Sequence, residues 1–176
     1  VIGTGSSAIQ AIPIIAQHAA ELTVFQRSPS FSIPARNAPL PKDATEAYKD
    51  KFLAQRAAAC LTDFGNSSWQ SLPSALTESE TALEEEYERR WVFGGAGFMV
   101  TYADLMTSKP ANDTAADFLR TKIATIVDDP DVARRLMPFD YPIGAKRLCV
   151  DTDYYATYNR PNVRLVDLRD EPIEHI

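Results

Sequence analysis

With 24 acidic against 18 basic side chains among 176 residues, a net charge of −6 and no Lys/Arg run of useful length, the chain lacks the electrostatic footprint of a nucleic-acid-binding protein. Its 45% hydrophobic content supports a normal core in one domain, or in one domain with an inserted subdomain. The apolar runs are too short to cross a bilayer and the first residues lack the basic-then-apolar order of a secretory signal, so a cytoplasmic protein without a membrane partner is expected.

Val1-Ile2 reads as the last piece of a strand. Gly3-Thr4-Gly5-Ser6-Ser7-Ala8 reads as a turn, and Ile9, Ile12, Pro13, Ala16 and Ala19 then recur at helical spacing before the β-rich run Leu22 to Phe25. Pro13 removes a helical hydrogen bond and costs about 3 kcal/mol in a helix interior, so this helix should bend near its middle or start late. Residues 29–43 carry Pro29, Pro34, Pro39 and Pro41 and are expected to form an extended linker. Helices are then expected over 45–62, 77–90, 114–127 and 131–136, the second carrying a charge run that reads as a solvated face.

The chain returns to the sheet at 146–150, and 162–166 alternates well enough to be the last clear strand. Residues 171–176 also alternate like a strand, and with Val1 in place of a methionine this gives the expectation of a fragment from inside a longer protein. Cys60 and Cys149 stand apart, with no C-x-x-C and no histidine at ligand spacing, so each reads as a buried, inert thiol and no metal site is expected.

The turn Gly3-Thr4-Gly5-Ser6-Ser7-Ala8 fits G-x-G-x-x-G/A between a strand and a helix. In that setting Gly3 allows the tight turn, Gly5 leaves room for a pyrophosphate, and Ala8 lets the helix pack closely. The helix N-terminus offers unpaired N–H groups to the phosphates. A carboxylate at the end of the second strand would hold a free ribose 2′-hydroxyl; this strand ends instead in Gln26-Arg27-Ser28. A guanidinium makes paired, charge-assisted hydrogen bonds to a phosphate, with Ser28 and Gln26 adding neutral donors, so NADP(H) is expected over NAD(H). A plain surface arginine is the competing reading. FAD suits this position less well, because its adenosine ribose carries no 2′-phosphate.

Four blocks in order, GTGSSAIQ from Gly3, TVFQRSPSFSIPA from Thr23, DYPIGAKRLCVDTDYY from Asp140 and TYNRPNVRLVD from Thr157, resemble the NADP-binding half of flavin-dependent Baeyer–Villiger monooxygenases. Trp91-Val92-Phe93-Gly94-Gly95 gives looser support. The resemblance implies an α/β, Rossmann-like parallel sheet with a helical insertion: 1–41 as the first βαβ part, 42–138 as the insertion, and 139–176 as the return and the start of a link to an FAD domain. It implies NADPH and FAD as cofactors, with a ketone and O₂ as partners and an ester or lactone as product.

Residue by residue, the resemblance places Gly3, Gly5, Ser6, Ser7 and Gln10 at the pyrophosphate, where Thr4 and Ala8 complete the glycine motif, and Arg27, Ser28 and Lys146 at the 2′-phosphate; Gln26 is read from its place at the strand end alone as a further neutral donor. Arg147 matches the arginine beside flavin and nicotinamide, where a fixed guanidinium in a dry site stabilises the anion that attacks the ketone. A structural ion pair is its competing role. On an extended segment, Lys146 and Arg147 would point to opposite faces. Related N- or S-oxygenating flavin enzymes share the turn, and a non-catalytic NADP-binding module is the reading from another class. A short-chain dehydrogenase is disfavoured, since no tyrosine has lysine four positions on.

Overall fold

The structure is a computed structural model that describes residues 1–62, 65–66 and 70–175. It is an α/β arrangement of five α-helices and short, parallel strand pairs. α1 (Ser6–His18) leads to β1 (Leu22–Gln26) and β2 (Ser32–Pro34); α2 (Lys42–Ala59), α3 (Glu80–Phe93), α4 (Lys109–Ile126) and α5 (Pro130–Leu136) follow; β3 (Cys149–Asp151) and β4 (Val163–Asp167) close the order. β1 pairs in parallel with β4, Leu22 opposite Val163. On its other edge, β1 takes a parallel bridge from Ile2 to Phe25. β2 and β3 form a second parallel pair, Ser32 opposite Cys149.

α1 buries the stripe that its spacing predicts, Ile9, Ile12, Pro13 and Ala16. The helix starts at Ser6 and continues through Pro13, so it does not start late. Its C-terminal end is closed from a distance: the Asn162 amide donates to the carbonyls of Ala16 and Ala19, both at 2.9 Å, satisfying groups that the last turn leaves unpaired. Ile9, Ile12 and Ala16 join Val24, Leu165, Ile123, Leu136 and the tyrosines Tyr154, Tyr155 and Tyr158 in one core.

A second core gathers Phe31, Ile33, Tyr87, Trp91, Phe98, Tyr102 and the Ala111, Ala115, Ala116 and Leu119 face of α4. Small residues at i, i+4 and i+5 let Tyr87 and Phe98 approach α4 and stack with its own Phe118, with ring centroids 5.5 to 5.9 Å apart. The charge run on α3 is largely solvated, as expected, with Glu86 clamped between Arg89 and Arg90 and only Tyr87 and Trp91 buried.

Four expectations are corrected. The segment 29–43 is not wholly a linker, because Ser32–Pro34 pairs with β3. The return strand starts at Cys149, leaving Lys146 and Arg147 in the loop before it. Cys149 is buried, but Cys60 is exposed at the end of α2. Residues 171–175 form no strand. The first and last have one cause: a strand this short is defined by its partner, and local alternation without a neighbour makes none.

Candidate functional site

The strand at Ile2 and β1 run parallel, so the turn after Gly3 and the Arg27-Ser28 corner after Gln26 leave the sheet at the same edge. Gly3 sits at φ +94°, in the region that favours glycine, and its N–H donates to the Phe25 carbonyl at 2.8 Å. Gly5 is the N-cap of α1 with φ −83°, an angle open to any residue. A Cβ built on either glycine meets nothing within 4 Å. Packing within the chain therefore does not explain Gly5; what its missing side chain leaves is open approach to the backbone. α1 has no side-chain cap and no acid in its first turn, and Gly5, Ser6 and Ser7 are exposed, so the N–H groups and positive end of the helix dipole face outward.

Thr4 is buried, and its hydroxyl donates to the Ser28 carbonyl at 3.0 Å, tying the glycine turn to the strand-end corner. The Lys146 ammonium, far along the chain, donates to the Ser28 hydroxyl at 2.9 Å. Arg27, Lys146 and Arg147 are all exposed, and among the described residues none of them makes an ion pair. Three uncompensated cations at one edge, beside a helix N-terminus, make a strongly anion-attracting surface on an otherwise acidic chain.

Cys149 lies under this surface. Its thiol donates to the Arg147 carbonyl at 3.7 Å, and burial pushes its pKa up. Gln10 is exposed on α1, at the rim of a cleft of about 550 Å³ shared with Ile14, Asn37 and Asp151. Ala8 is half-buried against the first core. Gln26 takes a different place: it is wholly buried, and its amide donates to the Arg135 carbonyl at 2.7 Å, so its donor is committed inside the fold.

Two residues not singled out from the sequence hold this arrangement. Asn112, buried on α4, donates to the carbonyls of Leu105 and Ile143 at 2.9 Å and accepts from the Ile143 N–H at 3.0 Å, pinning the start of the loop that carries Lys146. A lone amide on the alanine-rich face of a helix was the available signal. Tyr141 donates to the Pro29 carbonyl at 2.7 Å and places its ring 4.2 Å from the Lys146 ammonium. A tyrosine in a proline-flanked loop carries no periodic signal of this kind.

No family model matches the chain. Its full length is 39% identical, over 178 residues, to cyclohexanone 1,2-monooxygenase from Acinetobacter sp, of which it covers 32%. It is 39% identical over 184 residues to phenazine N-monooxygenase PhzNO1 from Lysobacter antibioticus, again covering 32%. Among solved structures, an oxidized steroid monooxygenase bound to NADP is 47% identical and superposes with a TM-score of 0.91 over 96% of this chain and 32% of that one. The chain thus spans about a third of the length of the relatives it matches, and those that match it over nearly its whole length include a Baeyer–Villiger monooxygenase from Pseudooceanicola batsensis, 38% identical over 177 residues.

Proposed function

We propose that this chain, homologous throughout to Baeyer–Villiger monooxygenases, is the NADP(H)-binding portion of an FAD-dependent enzyme that oxygenates ketones to esters or lactones. The observation that carries the proposal is the meeting of Lys146, Ser28 and the glycine turn at one strand edge, where Arg27 adds a second cation and, among the described residues, neither cation makes an ion pair. In this reading 1–41 and 139–176 form a Rossmann-like unit and 42–138 is its helical insertion. The central position of β1 between Ile2 and β4 supports the first part, and the run of helices supports the second. Free thiols at Cys60 and Cys149 suit a reducing, cytoplasmic setting, and no helix among the described residues is long and apolar enough to cross a membrane.

The residues present fit the coenzyme. Gly3, Thr4, Gly5, Ser6, Ser7, Ala8 and Gln10 form an open turn and helix start suited to a pyrophosphate. Arg27, Ser28 and Lys146 supply the donors for a 2′-phosphate. Arg147, exposed in the same loop as Lys146, would face the nicotinamide and flavin, where a fixed guanidinium would orient the reactants and stabilise negative charge. The flavin, when bound, supplies the oxygen-activating chemistry, and the rest of the polypeptide would hold it together with the ketone.

Arg27→Ala in the full-length enzyme tests the assignment. Loss of a charge-assisted pair is expected to raise KM for NADPH about 10- to 100-fold and leave KM for NADH nearly unchanged. An equal loss for both coenzymes would remove the 2′-phosphate assignment. The identity with a phenazine N-monooxygenase favours N-oxygenation as the second reading. Product analysis with a cyclic ketone and with phenazine separates the two, an ester or lactone supporting the first and an N-oxide alone supporting the second.

A further inference from the structure

Three hydroxyl groups from distant parts of the chain donate to three consecutive carbonyls. Thr4 bonds that of Ser28 at 3.0 Å, Tyr141 that of Pro29 at 2.7 Å and Tyr155 that of Ser30 at 3.1 Å. The Tyr155 oxygen also accepts from the Ser32 N–H at 3.1 Å. The segment between β1 and β2 is therefore held from outside itself, carbonyl by carbonyl. Tyr155 is buried in the first core and serves the start of β2, whereas Tyr141 is half-buried and faces the cationic edge.

Tyr141 makes two further contacts. Its ring packs edge-on to Phe31, centroids 5.8 Å apart, and its face takes the Lys146 ammonium at 4.2 Å. Lys146 then donates to Ser28, which precedes the proline that Tyr141 bonds. The result is a closed circuit of Tyr141, Lys146, Ser28 and Pro29. An exposed lysine on a four-carbon stem ordinarily samples many rotamers, and among the described residues Lys146 makes no ion pair that would restrain it. The aromatic face supplies the restraint without neutralising the charge, which a carboxylate would do.

We propose that Tyr141 is a positioning residue for coenzyme selectivity, holding Lys146 and the Ser28 corner in the geometry that receives a phosphate monoester on the ribose 2′-oxygen. The inference rests on the reading of Arg27, Ser28 and Lys146 as the phosphate site, and it adds a residue that acts through Lys146 and the Pro29 carbonyl. The ring acts on the ammonium and the hydroxyl acts on the loop, so the two contributions can be removed separately.

The test is steady-state kinetics of the full-length enzyme with NADPH and NADH for Tyr141→Leu, Tyr141→Phe, Lys146→Ala and the double variant Tyr141→Leu/Lys146→Ala. Tyr141→Leu is expected to raise KM for NADPH about 5- to 10-fold, with KM for NADH and kcat at saturation unchanged; Tyr141→Phe, which keeps the ring, is expected to give about a 2-fold rise. In the Lys146→Ala background Tyr141→Leu should add little, because the ring acts through the lysine. An equal rise for both coenzymes, or full additivity with Lys146→Ala, overturns the proposal. If Tyr141→Leu does not fold, Tyr141→Phe decides by the same comparison, and an unchanged or coenzyme-independent KM overturns it. If Lys146→Ala itself leaves the NADPH preference intact, the phosphate-site reading has failed; if it abolishes the preference while the Tyr141 variants do not alter it, only the role of Tyr141 has failed.

Discussion

Arg147 and Lys146 are adjacent in sequence yet sit in different environments. Lys146 is fixed by Ser28 and the Tyr141 ring, while the exposed Arg147 guanidinium has no ion pair among the described residues. Strand alternation does not separate them, since both precede β3; what separates them is the tether that only Lys146 possesses. A structural ion pair is the competing role for Arg147, and substitution separates the two. Removing a preorganised donor of this type typically costs about 100-fold or more in rate. Arg147→Ala in the full-length enzyme is therefore expected to keep bound flavin, measured by its absorbance, and to lose ester formation by at least that factor. Ester formation at the parental rate would assign Arg147 a structural role instead.

The elements meet through backbone positions as much as through side chains. Gly94 ends α3 at φ +79° and ψ −179°, a region essentially reserved for glycine, and its N–H closes the helix on the Arg90 carbonyl at 2.9 Å. A Cβ there would lie 2.4 Å from the Pro34 carbonyl oxygen and 2.5 Å from Arg36 Cγ, so α3 could no longer seat against the end of β2. Gly94→Ala is expected to destabilise the protein by about 3 kcal/mol or more, read as a lowered denaturation midpoint. A midpoint within error of the parent would show that α3 does not depend on this contact.

What the sequence made legible divides along the same line. The helices announced themselves by composition but not by their starts: α3 and α4 were expected from 77 and 114 and begin at Glu80 and Lys109, where the Ser79 and Ser108 hydroxyls accept from the N–H groups of Ala82 and Ala111. β2 did not, because three residues ending in a proline have no pattern of their own and take their conformation from Cys149–Asp151. At the site, glycines and cations were visible because their residue types imply the chemistry. Gln26 looked like one more donor, but its amide is used by Arg135 in the interior. Tyr141 and Asn112 act through contacts across the fold, which no local window contains.

At the scale of the whole molecule, parallel sheets occur with both faces covered. Here one face of β1 and β4 lies on the first core, while Ile2 is 62% exposed and lines an open cleft of about 510 Å³ with Thr23, Phe25, Val166 and Ile173. α2 buries no residue at all and leaves Tyr48, Phe52 and Leu53 on the surface. Both features agree with a unit made to be covered by further polypeptide, and the chain spans 32% of the cyclohexanone monooxygenase it matches. The sequence also contains one glycine turn of the dinucleotide type, the one assigned to NADP(H). Catalysis of this class needs hydride donor, flavin and ketone held within reach of each other, and the orientation that makes such steps fast is lost when one binding unit is absent. The 176-residue chain mixed with FAD, NADPH, O₂ and cyclohexanone is therefore expected to give no lactone above a protein-free control by gas chromatography. Lactone formed in proportion to added chain would overturn the assignment of flavin and ketone binding to the rest of the polypeptide.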